Sequence, residues 1–174
     1  MQFRLAPLFC RPWALNGITP RLIESHYETN YGGAVRQLNL LTEELEALDP
    51  TTAPAESVSR LKRDQSAALN STLLHELYFA SLGGDGRAVP EAMAAALTRD
   101  FGSVDRWRRE FMALAEALAG GSGWVLLTYS PRDNRLSNQW AMDHTTTLAG
   151  GRPILALDMY EHSYHIDYGA KAAT

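Results

Sequence analysis

With 174 residues, the chain has the length of one domain or two small ones, at roughly 150 residues each, and can bury a core without staples. Its composition (45% hydrophobic, 21% charged, 9% aromatic) is globular and excludes a disordered or fibrous protein. Sixteen Lys and Arg against twenty Asp and Glu give a formal net charge of -4, which argues against nucleic acid as the main partner.

The opening stretch, Met1 to Cys10, is apolar but interrupted by Arg4 and Pro7, and no cleavage pattern follows, so no targeting segment is expected. No run approaches the roughly 18 apolar residues of a membrane span. Cys10 is the single cysteine, which excludes an intrachain disulfide and a cysteine-based zinc site. A reducing compartment is the natural reading, so a soluble cytoplasmic protein is expected.

Thr19-Pro20 reads as a helix entry, with Thr as N-cap and Pro at the first helical position. Leu22, His26, Val35, Leu38, Leu41, Leu45 and Leu48 then keep roughly helical spacing until Asp49-Pro50. Gly32 and Gly33 lie inside this helix, each costing about 1 kcal/mol relative to Ala. They mark either a kink or a place where another backbone comes close. A Pro- and Thr-rich turn from Asp49 to Ala55 leads to a second helix, from about Ser57 to Leu82, which Gly83-Gly84-Asp85-Gly86 ends. Two long helices with a short polar turn form an antiparallel hairpin.

The remainder changes character. Val89 to Phe101 and Val104 to Ala119 are shorter helices, entered at Pro90 and Ser103, and Gly120-Gly121-Ser122-Gly123 stops the second. Trp124 to Tyr129 reads as a strand, Ser130 to Asn134 as its turn, about Arg135 to Met142 as a second strand and Pro153 to Leu157 as a third. The expected fold is therefore α+β. An N-terminal helical hairpin (residues 1–86) precedes an α/β half (87–174) with a small three-stranded antiparallel sheet.

Five histidines are the candidates for chemistry: His26, His75, His144, His162 and His165. A lone His on an apolar helix face is ordinarily a hydrogen-bonded core residue. However, His26 and His75 both fall on core-facing stretches of the paired helices, and antiparallel packing can bring them face to face. Two buried imidazoles need a ligand or hydrogen bonds, because leaving them unpaired costs a few kcal/mol. Asp158 ends the third strand and His162 follows four residues later, so carboxylate and imidazole can converge there. Alternatively, Asp158 simply caps the next helix. Three His and one Asp would suit Fe, Mn or Zn, with no sulfur to select zinc or copper(I).

Four stretches in order resemble the iron/manganese superoxide dismutases over nearly the whole chain. Ile18 to Tyr27, running on to Leu38-Asn39, is similar to that family's first helix and first metal-binding His. Leu74-His75-Glu76-Leu77-Tyr78-Phe79 is similar to the segment with the second. Phe101-Gly102-Ser103 and Gly121-Ser122-Gly123-Trp124 resemble landmarks of its α/β half. Asp158-Met159-Tyr160-Glu161-His162-Ser163-Tyr164 resembles the family's D-x-W-E-H-x-Y signature.

The resemblance implies one Fe or Mn ion per subunit, held by His26, His75, Asp158 and His162 with a solvent molecule as fifth ligand. It places His144 beside that solvent, where a hydrogen bond tunes potential and acidity; otherwise His144 is an exposed loop residue. It implies a homodimer in which Glu161 reaches the partner's His162 and orients it. The implied activity is conversion of two superoxide anions to O2 and H2O2. The alternative is a metal-binding relative with weak or no turnover and a structural or regulatory role.

The chain also departs from the family. Counted from His26, the funnel His falls at Asn30, the funnel Tyr at Ala34, and the Tyr that pairs with that His across the interface at His165. The signature Trp is Tyr160, an aromatic near the first strand is Leu126, and the Trp-Asn before the second His is Leu73-Leu74. A looser aromatic wall and a wider opening at Ala34 are expected. The resemblance further implies a closing helical segment beyond Thr174, so some apolar surface is expected to lie uncovered.

Overall fold

The computed structural model describes residues 2–86 and 88–174. Met1, and Arg87 where the sequence places the start of the second half, lie outside the described residues. Helix α1 (Pro20–Ser25) begins as expected: Thr19 is extended, and its hydroxyl accepts from the Leu22 N–H at 3.3 Å. Asp167 holds that cap from the other end of the chain, accepting at 2.7 Å from both the Thr19 N–H and its hydroxyl. The Tyr168 hydroxyl donates to the Gly17 carbonyl beside it.

The first long helix is not uniform. Between α1 and α2 (Gly32–Ala47) the chain widens into a π-helical segment, His26–Tyr31. There the Gly32 N–H reaches back five residues to the Tyr27 carbonyl. No second backbone approaches at the two glycines. A side chain at Gly32 would meet Arg36 and the helix's own Tyr27 carbonyl, and Gly33 would meet only the Arg36 guanidinium. A π-turn is a local departure that recurs at functional sites, and here it begins at His26.

Helix α3 (Ala55–Ala80) returns antiparallel to α2. Gln65 donates to Thr42 at 3.3 Å near the hairpin turn, and Glu76 accepts from the Tyr31 hydroxyl at 3.1 Å at the far end. The N-terminal segment is strapped across this pair. The Asn39 amide exchanges two hydrogen bonds with Phe3, at 2.7 and 3.0 Å, and Tyr27 and Tyr31 bind the backbone of Ala6, at 2.7 and 2.8 Å.

Helices α4 (Glu91–Phe101) and α5 (Val104–Leu118) meet at Gly102, a left-handed residue at φ 88°, followed by Ser103, whose hydroxyl caps α5 at the Arg106 N–H. Strands β1 (Trp124–Ser130), β2 (Arg135–Ala141) and β3 (Arg152–Asp158) form an antiparallel sheet in the order β2-β1-β3. Alternation along β1 divides the core. Trp124 and Leu126 face the helical hairpin with Leu22, Ile23, Tyr78 and Phe79, whereas Val125 and Leu127 face α4 and α5 with Leu97, Phe111 and Leu118. In this register Trp124 lies between Ala141 and Asp158, so the start of the central strand adjoins the end of β3. A short 3-10 turn (Glu161–Ser163) and α6 (His165–Tyr168) complete the described chain. Among the described residues, no helix is long and apolar enough to cross a membrane.

Candidate metal centre

Four side chains from four parts of the fold converge where the hairpin meets the sheet. His26 opens the π segment, His75 sits in the last turns of α3, Asp158 ends β3, and His162 lies in the turn that follows. Their ligand-capable atoms all lie within 4.8 Å of one another. Asp158 Oδ2 is the common point: the Nε2 atoms of His162, His26 and His75 stand 3.0, 3.1 and 3.7 Å from it. His26 and His75 meet edge-on rather than face to face, with ring centroids 5.1 Å apart at 81°.

Asp158 does not cap the 3-10 turn, whose N-cap is Tyr160 without a side-chain bond. Its Oδ1 instead accepts from the Tyr160 N–H at 2.9 Å, two residues on, while Oδ2 faces the imidazoles. The Ser163 hydroxyl adds a 2.9 Å bond to the Asp158 carbonyl, which ties the turn back to the strand.

The electrostatics favour a cation. His26, His75 and Asp158 are almost wholly buried. Burial pushes His26 down despite its contact with Asp158, and it pushes His75 down to about 4, so both imidazoles stay neutral at ordinary pH. Burial acts to raise Asp158, but hydrogen bonds with His162 and His26 outweigh it and hold the carboxyl well below its usual range. The His75 Nδ1–H donates to the Ser71 carbonyl at 2.7 Å, which fixes the tautomer and leaves Nε2 with its lone pair toward Asp158. Neither that Nε2 nor His26 Nδ1 has a hydrogen-bond partner among the described residues, and His26 Nε2 meets the Asp158 carboxylate at 3.1 Å. Buried polar atoms left unpaired cost about 1–3 kcal/mol each, so this is a place built for a ligand. Three imidazole nitrogens and one carboxylate, without sulfur, fit Fe, Mn or Zn.

Aromatic rings close the inner sides. Tyr78 and Phe79 each pack 5.0 Å from the His26 ring, and Trp124 stands edge-on to His75 at 5.1 Å. Tyr160, in place of the signature Trp, is sandwiched between His162 and His144, at 5.4 and 5.1 Å with interplanar angles of 12° and 18°. The centre is open on the side facing α2 and α3. There a cleft of about 420 Å³ reaches His75, His144 and His162, with Asn30, Gly33 and Ala34 along one wall.

His144 is half-buried at that cleft rather than free in its loop. The Trp124 Nε1–H donates to His144 Nδ1 at 2.9 Å, and the Asn70 amide holds the His144 carbonyl at 2.6 Å. Burial lowers the pKa of His144, so the neutral ring carries its proton on Nε2. Glu161 and His165 are exposed, outside the converging group. Two residues escaped sequence reasoning. Tyr31 stacks on His75 at 6.0 Å, with its hydroxyl tied to Glu76 and Ala6. Ser71 supplies the carbonyl that orients His75 from one helical turn earlier, a relation visible in the i, i+4 spacing.

Comparison with known proteins gives the same direction. The family model described as iron/manganese superoxide dismutases, C-terminal domain, matches residues 89–174. The chain is 61% identical over 173 residues to superoxide dismutase [Fe] of Cupriavidus metallidurans, covering 99% of this chain and 87% of that protein. It is 35% identical over 174 residues to superoxide dismutase [Mn] 1 of Halobacterium salinarum, covering 97% and 84% respectively. With superoxide dismutase [Fe] of Aquifex aeolicus, identity is 31% over 170 residues, covering 92% and 78%.

Proposed function

The chain belongs to the iron/manganese superoxide dismutases, and on that premise we propose that His26, His75, Asp158 and His162 hold one Fe or Mn ion per subunit and that the protein converts two superoxide anions to O2 and H2O2 there. Held by these four residues, the ion would supply the one-electron redox couple that dismutation of superoxide requires. The observation that carries this reading is the convergence of the buried Nε2 atoms of His26 and His75 on the charged Asp158 carboxylate.

The chain's own residues do the rest. Asp158 offsets the cation's charge with one oxygen while its other oxygen is pinned by the Tyr160 N–H, so the carboxylate plane is fixed before an ion arrives. Ser71 and the stacked Tyr31 hold the His75 ring in its ligating orientation. Trp124 holds His144 in the tautomer that presents Nε2–H, a donor for the solvent or product oxygen beside the site. Superoxide enters by the cleft past Asn30 and Ala34, where the family's funnel His and Tyr are missing, and the protons required by the second anion arrive through water in that cleft and His144. We further propose a cytoplasmic homodimer in which exposed Glu161 meets the partner subunit and orients its metal ligand.

Metal content measured together with superoxide decay per metal tests the reading. His75→Ala is expected to lose most of the bound metal while the chain stays folded. Stoichiometric metal with decay no faster than buffer, or undiminished metal in the variant, would refute it. Sedimentation of the purified protein tests the dimer.

A further inference from the structure

The cleft in front of the metal centre is far roomier than a two-atom anion needs. At about 420 Å³ it has space for roughly a dozen waters at their liquid volume, and it falls in the range of small-molecule sites, roughly 300 to 1,000 Å³. Such sites combine apolar walls with a few convergent polar groups. Here Ala34 of α2 and Ala67 and Ala68 of α3 line the cleft, and Leu41 extends the apolar wall. Ala34 and Ala67 are only half-buried, so the space beyond their Cβ atoms belongs to the cleft and not to the core.

The polar groups are sorted by depth. Buried Ser71 and His75, with half-buried His144 and His162, form the inner end, and the His75 Nε2 there has no protein partner. Exposed Asp64 and Gln37 are at the rim, where Asp64 is engaged by Arg60 at 3.4 Å. The rim carboxylate is thus partly neutralised, and the inner end presents the His144 Nε2–H as a donor. An anion with a short apolar body matches this order of surfaces.

We propose that the cleft binds a small organic monocarboxylate of about the size of benzoate, with its carboxylate toward the His144 Nε2–H and its apolar body along Ala34 and Ala67. The proposal rests on the metal centre proposed above, whose positive charge adds to the attraction. Occupancy closes the path to His75, so access of superoxide depends on the concentration of such acids.

The test uses the full chain loaded with Fe or Mn, with metal content determined first. Benzoate and azide are titrated separately and in competition, followed by calorimetry and by the metal's absorption. Both are expected to bind one per metal and to exclude each other. Ala34→Phe and Ala67→Leu, which fill the cleft from α2 and α3, are each expected to weaken benzoate by at least about tenfold. Ala34→Ser, which keeps the space, is expected to leave it nearly unchanged. Azide binding without benzoate binding overturns the cleft proposal and leaves the metal centre standing. So does benzoate binding that neither filling variant weakens. A chain that takes up no metal overturns the metal centre itself, and the cleft proposal with it.

Discussion

Replacing Trp124 by Phe separates the orientation of His144 from the mere presence of an imidazole at the cleft. Trp124 is fully buried, and its Nε1–H donates to His144 Nδ1 at 2.9 Å while its ring edge packs on His75. Truncating a buried Trp to Ala costs about 3–5 kcal/mol, so loss of the second ring alone costs about 1–2 kcal/mol. The unpaired His144 Nδ1 adds about 1 kcal/mol, at the low end of the range because water reaches this half-buried ring. A total of about 2–3 kcal/mol corresponds to a fall in Tm of roughly 5–10 °C for a chain of this size. Far-UV circular dichroism melts measure it. The functional part is a lower superoxide decay rate per metal at unchanged metal content, because His144 no longer holds one tautomer. A double-mutant cycle with His144→Ala isolates the bond, with an expected coupling of about 1 kcal/mol. Effects that add to within about 0.3 kcal/mol, or a Tm drop below about 2 °C, would refute the orienting role of the indole.

The metal-free protein is expected to lose stability as pH falls from about 6.5 towards 4. His26 and His75 are held below their ordinary value of 6.5, so the unfolded chain binds more protons across that window. With His75 pushed down to about 4, that residue alone accounts for about 2 kcal/mol between pH 7.5 and 5, read from urea midpoints; a flat profile contradicts buried neutral imidazoles. Asp100→Asn tests a clamp remote from the site. The side chain of Asp100 is 2% exposed, bonds Arg99 and the Leu136 N–H at the start of β2, and is held down to about 2. A carboxyl lowered from 3.8 contributes stability that is present above that pH and is lost as pH falls through 2. Because Arg99 and Arg135 are about half exposed, the expected loss on substitution at pH 7 is only about 1 kcal/mol, and no loss would show the clamp to be idle. Gly123→Ala is expected to cost about 3 kcal/mol or more, because at φ 141° the new Cβ presses on the Ala141 carbonyl, a backbone atom that cannot swing away. A variant that melts with the wild type would show the β1–β2 pairing to be more yielding than its geometry implies.

The three strands, the helical hairpin and the step from Asp158 to His162 are legible because each rests on short-range signals, whereas the full set of His26, His75, Asp158 and His162 comes from the resemblance to the family. Asp158 shows the limit of such signals. A cap and a metal ligand look alike in sequence, and only the third dimension shows one oxygen bonding the Tyr160 N–H before the turn and the other facing the imidazoles. His144 and Trp124 are twenty residues apart, and nothing local couples them; the register that sets Trp124 between Ala141 and Asp158 does. The cleft is likewise a product of register. Ala34, Ala67 and Ala68 are unremarkable singly and line one space only because α2 and α3 pack together. The π segment did leave a mark. At 3.6 residues per turn, Val35 would fall about 180° around the helix from His26, although both are buried. One extra residue in the turn removes a step from that count and brings Val35 to about 80° from His26, so a single widened turn lets the helix bury both. It also carries Tyr31 onto the face of His75. Within the roughly helical spacing of the apolar residues, the mismatch between His26 and Val35 is therefore the sequence sign of the irregularity that aims the first histidine.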